Sequence, residues 1–348
     1  MSPANRVSAF TVALLSCAVL LGATNPAAAV LQKPTYAPGD RWVYALEGSL
    51  RGFPGFNETQ IGQFQFNLVG RVDVEVVGFQ DLLRSGVLIP TILVETRTTG
   101  FLNGTLFAPG VGTAQVTGTF GVLSTEFWEP EGYVPIQAFG TTTYDAQVTS
   151  IVTADLAFIV LLNSTGSGPS VPPFDLGAGE NVTASVQTRL EANATVTVLG
   201  VSRSRENNTE VSSIWRRELG SEESVRVEAG TFATHKFNQT LGPFPGIPGI
   251  VAGNETAYFS NDIGYYAKRV GYQNGEPVAE MRLRSYNYRA GPGLTTTTLL
   301  VLILVPAALI LLVVLLVRRR RAARKAERSM STGQPPSAGR EGEGGHAR

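Results

Sequence analysis

Glu126, Glu129 and Glu131 sit in one short stretch with Phe127, Trp128 and Tyr133. Paired carboxylates beside an aromatic platform are what a glycosidase or a sugar-binding site uses. The same string also reads as a strand end running into a turn. His235, beside Lys236, is the lone histidine ahead of the C-terminal apolar run. One histidine without cysteine partners makes neither a zinc site nor a histidine-based triad, so it reads as a strand-face residue. Asn261-Asp262 could offer oxygens to calcium, but a turn explains them as well. No P-loop, G-x-S-x-G or H-E-x-x-H string occurs. The expectation is therefore a chain that is not an enzyme, with no catalytic, cofactor-binding or metal-binding residues and no cofactor.

The elements that carry these residues are set by a chain of strongly uneven composition. The formal net charge of zero conceals a split. Val30–Gly293 holds 18 Lys+Arg against 25 Asp+Glu, whereas the residues after Val317 hold nine Lys+Arg against three Glu. An acidic main segment argues against nucleic acid and against anionic lipid headgroups as its partners. The single cysteine, Cys17, lies near the N-terminus, so the rest of the chain can form neither a disulfide nor a thiolate site.

Two apolar runs define the ends. Arg6, an apolar stretch from Val7 to Gly22 and the small residues Ala27 and Ala29 read as a signal peptide over 1–29, cleaved before Val30. An uncleaved anchor, or a lipoprotein signal at Leu14-Leu15-Ser16-Cys17, would be the alternatives. Leu299–Val317 is uncharged over nineteen residues, about 28 Å as a helix, which matches the hydrocarbon core of a bilayer. A transmembrane helix is expected over 294–317. Arg318, Arg319, Arg320 and Arg321 follow at once as a stop-transfer signal, and the positive-inside rule places them in the cytoplasm. Gly291-Pro292-Gly293 and the arginine run resemble the tail processed by archaeal sorting enzymes. Leu294 stands where that tail has Phe, and the chain continues well past the span, so retention of the span is the expectation. The tail, 318–348, lacks an aliphatic stripe and is expected to be disordered.

N-x-S/T strings occur at Asn57, Asn103, Asn163, Asn181, Asn193, Asn207, Asn238 and Asn254, and at neither end of the chain. They mark glycosylation candidates on the surface of an exported domain. With the missing cysteines, they point to an archaeal cell surface.

Between the two ends the pattern is β. From Val182 to Val198 the even positions are apolar or small, apart from Thr188, and the odd positions are polar, the period of a half-buried strand. Phe64, Phe66, Leu68, Val72, Val74 and Val76 repeat the pattern, with Gly70 where a bend or bulge would sit. Shorter strands are expected at 42–46, 91–97, 114–127, 144–160, 224–227, 231–237, 257–260, 264–270 and 281–288. Residues 30–293 are thus expected to be an all-β domain, a long, curved antiparallel sheet forming a half-barrel or sandwich.

Three stretches carry a resemblance: Pro38-Gly39-Asp40-Arg41-Trp42-Val43-Tyr44, Val227–Phe232 around Ala229-Gly230-Thr231-Phe232, and Tyr258–Arg269 with Asp262-Ile263-Gly264-Tyr265-Tyr266. They resemble a recurring set in prokaryotic extracytoplasmic proteins, which are similar to the lipoprotein-carrier (LolA-like) fold. That resemblance implies a strongly curved antiparallel sheet around an apolar concavity. It covers the first and last parts of the β domain and leaves 48–220 unmatched, and it brings no catalytic residues.

The expected function is display of a β-rich binding or interaction domain at the cell surface on a single span. Its partners are the membrane and either an apolar ligand or an envelope protein. The alternatives are a structural envelope component and a carbohydrate-active enzyme using Glu126, Glu129 and Glu131.

Overall fold

The computed structural model describes residues 30–51, 63–108, 112–150, 153–167, 173–241 and 253–289. The expected signal peptide, Asn57, the expected span at 294–317 and the tail with Arg318–Arg321 lie outside them. Among the described residues no helix is long and apolar enough to cross a membrane.

Among the described residues twelve strands follow in order: β1 (Arg41–Arg51), β2 (Gln63–Arg84), β3 (Val87–Ala108), β4 (Gly112–Trp128), β5 (Pro135–Thr149), β6 (Thr153–Gly166), β7 (Asn181–Val198), β8 (Val201–Val227), β9 (Gly230–Leu241), β10 (Gly253–Ser260), β11 (Tyr265–Gln273) and β12 (Glu276–Asn287). A 3₁₀ turn, Pro173–Asp175, precedes β7. Each strand pairs antiparallel with its sequence neighbours, and β1 also pairs with β12, so the sheet closes into a barrel. A closed barrel replaces the expected half-barrel or sandwich. Closure gives β1 and β12 a partner each, where an open sheet would leave two edges of unpaired backbone groups.

Strict alternation builds the wall. β7 shows it most plainly, with Val182, Ala184, Val186, Leu190, Ala192 and Ala194 buried and turned inward. A ring of register partners, Leu46, Gly70, Gly100, Phe120, Tyr144 and Phe158, crosses β1 to β6 on the inner face. A Cβ on Gly100 would lie 2.6 Å from the Phe120 ring, and one on Gly70 would lie 3.1 Å from it. The two glycines are therefore the floor on which Phe120 lies. The bulge expected at Gly70 sits instead between Val76 and Gly78.

The interior is crossed by side chains. Phe64 of β2 and Phe158 of β6 stand with ring centroids 6.3 Å apart. Four strand spacings separate them along the wall, about 19 Å, so the rings meet through the interior. Trp128 of β4 stacks on Tyr265 of β11 at 5.8 Å, again across the barrel.

Two strand expectations were altered. Residues 144–160 are two strands, β5 and β6, because the chain reverses after Thr149; apolar residues on both sides of the turn disguise it. β8 is far longer than 224–227. Its first half, Val201–Glu210, is exposed almost throughout, so it has no apolar face to read.

Candidate functional site

The first and last strands meet at one pole of the barrel, where β1 begins and β12 ends with Arg41 opposite Asn287. The three resemblance stretches converge at this entry pole. Trp42 and Tyr44 are fully buried. Trp42 Nε1 donates to the Ile263 carbonyl at 2.8 Å, and the Tyr44 hydroxyl donates to the Tyr266 carbonyl at 2.8 Å. Tyr36 donates to the Gly264 carbonyl at 2.8 Å. Asp40 accepts from the amides of Ala37 and Arg289, at 2.8 and 2.9 Å. The Ala229 amide donates to the Leu283 carbonyl, so the β8–β9 hairpin folds over the end of β12. Trp42 also packs on Tyr265 at 4.8 Å, and Tyr36 on Tyr133 at 4.7 Å. The resemblance stretches are thus the parts of an aromatic plug, and their work is closure.

Behind the plug runs a belt of charge on the inner wall. Register places Arg217 of β8 opposite Gln239 of β9, and Gln239 opposite Glu255 of β10. Arg269 of β11 grips Glu255 with two nitrogens. Burial alone would lower the pKa of that guanidinium, but the buried Glu255 carboxylate beside it holds it firmly protonated. Arg217 is only 6% exposed and meets no carboxylate among the described residues. Its Nε donates to Gln239 Oε1 at 3.0 Å and its Nη2 to the Tyr266 hydroxyl at 2.8 Å. It lies 4.9 Å from the Trp215 ring and 5.1 Å from the Phe237 ring. Aromatic faces and neutral acceptors can hold a desolvated guanidinium in this way.

Glu126 belongs to the same interior. Trp128 Nε1 donates to it at 2.8 Å and Ser124 Oγ at 3.1 Å. Burial pushes its carboxyl above the usual range, opposed by these two hydrogen bonds and by the charge of Arg269. Glu129 instead accepts from the amides of Glu131 and Gly132 and ties the β4–β5 turn. Glu131 is in solvent, paired with Lys33 at 3.2 Å. The three carboxylates thus go to three different jobs, and no pair of them faces a shared space. His235 is buried, with Nδ1 3.7 Å from Glu222; burial lowers its pKa and Glu222 opposes that. Asn261 accepts from the Gln32 amide and donates to the Val30 carbonyl, which ties down the N-terminal segment. Among the described residues no group of three His, Cys, Asp or Glu could hold a metal ion.

On the outer wall, Leu123, Phe139, Ile159 and Leu161 are 50, 41, 47 and 44% exposed. Register sets Leu123 and Leu161 on either side of Thr141, and Phe139 directly opposite Asn163. Leu123, Phe139 and Leu161, with Arg189 and Glu191, border a shallow depression of about 400 Å³. Of the glycosylation candidates, Asn103, Asn163, Asn181, Asn238 and Asn254 are exposed, and Asn193 and Asn207 are half-buried.

Sequence reasoning missed the belt. A parity signal was available: Arg217 falls on the same face as Trp215 and Leu219, and Glu255 on that of Ala257 and Phe259. A charge in an apolar register position is the mark of a buried ionic group.

No family model matches the chain, and no curated protein matches it. Among solved structures, it is similar to a Bacteroides fragilis protein of YmcC-like fold, thought to be exported, at 9% identity and a TM-score of 0.25. The match covers 72% of this chain and 97% of that one. A likeness so slight carries no conclusion about this chain.

Proposed function

We propose that this chain is a single-pass cell-surface protein that displays its barrel as an interaction domain, with the binding done by the outer wall. An archaeal envelope is the setting that fits the sequons and the missing cysteines. The observation that carries this reading is the contrast between the two faces of the wall. Rings from opposite walls meet inside, at Phe64–Phe158 and Trp128–Tyr265, while outside an apolar strip lies open on β4–β6. The partner is an envelope protein that covers this strip and meets Arg189 and Glu191 at its rim. A photo-crosslinking residue placed at Leu161 in the full chain, in its native membrane, tests it. A discrete adduct to one envelope protein, abolished by Phe139→Asp, is expected. No adduct at Leu161, or the same adduct from Thr231, three strands away on β9, would remove the reading.

A second reading, carriage of an apolar ligand with an anionic head, is favoured by Arg217, a buried cation that meets no carboxylate among the described residues. Solvent extraction of the purified chain followed by mass spectrometry decides it. A bound amphiphile that disappears in Arg217→Leu supports carriage, and repeated absence of any bound molecule ends it.

A further inference from the structure

The β2–β3 hairpin outruns its neighbours at the entry pole. β1 starts opposite Glu75 and β4 ends opposite Ile92, so Gln80–Arg84 and Val87–Thr91 pair only with each other. Five rungs at about 3.4 Å make the free ribbon roughly 17 Å long. Ser85 and Gly86 turn the chain with φ of 49° and 80°, the left-handed pair of a type I′ turn.

Both faces of this ribbon are apolar near the tip. Leu83 stands opposite Leu88 on one, and Leu82 opposite Ile89 on the other. Leu83, Val87 and Leu88 are 68, 62 and 63% exposed. A bare two-stranded ribbon is marginal in water, and one that offers leucine to solvent on an unprotected edge invites association. Arg84, in the last rung before the turn, donates to the Gly166 carbonyl of β6 at 2.6 Å, so the ribbon leans on the rim of the barrel while Leu83 and Leu88 stay open to solvent.

We propose that this tip seats in the outer interface of the bilayer. The inference rests on the single-span reading of the preceding section. What selects lipid as the occupant is where the chain leaves. Arg289, the last described residue, is at the same pole, held by Asp40, and the expected span begins between Leu294 and Leu299. Five to ten residues reach at most about 17 to 35 Å, a connection short enough for the entry pole to be the end of the barrel that meets the bilayer. Leu82–Pro90 holds one cation and no acid, and no sequon falls between Val76 and Ile92. That composition suits a shallow apolar wedge among headgroups.

The mature chain has no cysteine, so Leu88→Cys takes a single environment-sensitive fluorophore. The full chain is reconstituted in phosphatidylcholine vesicles, with Leu123→Cys on the outer wall as the reference. The expected result is a blue shift at position 88, quenching by lipid-borne nitroxide and loss of iodide quenching, with none of these at 123. If position 88 is as open to iodide as 123 while the chain resists carbonate extraction, the wedge is overturned and the anchor stands. If carbonate strips the chain from the vesicles, the anchor fails and takes the wedge with it. A disulfide-linked dimer through position 88 would give the tip to a second copy instead, and would also overturn the proposal.

Discussion

Two of the exposed hairpins, one at each pole, are built from opposite materials. The β2–β3 tip is Leu82-Leu83-Arg84-Ser85-Gly86-Val87-Leu88-Ile89, apolar on both faces. At the far pole, β8 pairs with β9 only from Arg216 onward, and its open first half reads Ser202-Arg203-Ser204-Arg205-Glu206-Asn207-Asn208-Thr209-Glu210. Two glycosylation candidates, Asn193 and Asn207, lie on that β7–β8 hairpin. Charges along an exposed edge are a common protection against strand addition. The far edge has that protection and the entry-pole tip does not. The difference fits a barrel whose two ends meet different media.

The comparison extends inward, and it can be broken there first. Trp42→Ala at the entry pole removes a fully buried indole and strands the Ile263 carbonyl. A loss of about 3–5 kcal/mol is expected, read as a lower urea midpoint. A midpoint within error of wild type would show that the plug does not hold the barrel shut. Arg269→Met leaves Glu255 buried and unpaired, and a loss of about 3 kcal/mol or more is expected. Adding Glu255→Leu should recover most of it, and equal destabilisation by the single and double variants would deny that the pair is coupled. Gly100→Ala drives a methyl into the Phe120 ring and should cost about 1–3 kcal/mol, reduced when Phe120 becomes Leu. If Phe120→Leu gives no relief, the glycine serves the backbone alone.

Smaller effects follow from pH and from the far tip. His235 has a folded-state pKa below its ordinary value because of burial, against the opposing charge of Glu222. The folded state therefore binds its proton less readily than the unfolded chain. Its contribution is fully present above about pH 6.5 and is lost as pH falls through the depressed value. His235→Gln should flatten the stability profile on the acid side of pH 6.5, and an unchanged slope there would show that His235 is not the group involved. Leu199→Ser, at an exposed tip of the far pole, should change stability by less than about 0.5 kcal/mol. A larger loss would mean that this tip is covered after all.

Much of the barrel was legible because one face of most strands is wet. The alternation of β7 and of Phe64–Val76 reads directly as an inner and an outer face. β10 and β11 were legible as strands but not as a site. Residues of both faces are buried there, under the β8–β9 hairpin and the N-terminal segment, so parity no longer separates core from surface. Closure itself was not legible, since strand pairing between residues as remote as Arg41 and Asn287 leaves no local signal. The carboxylates near Trp128 misled for a related reason. Adjacency along a strand puts Glu126 inside, while the turn sends Glu129 to its own backbone and Glu131 to solvent.

The central claim is that the barrel stands outside the cell on a span whose basic tail stays within. Membrane-impermeant maleimide on intact cells tests it most directly, with Ser202→Cys at the far pole and Ser331→Cys in the tail. The account predicts labelling of position 202 at once and of position 331 only after permeabilisation. Labelling of 331 in intact cells, or protection of 202, would contradict it.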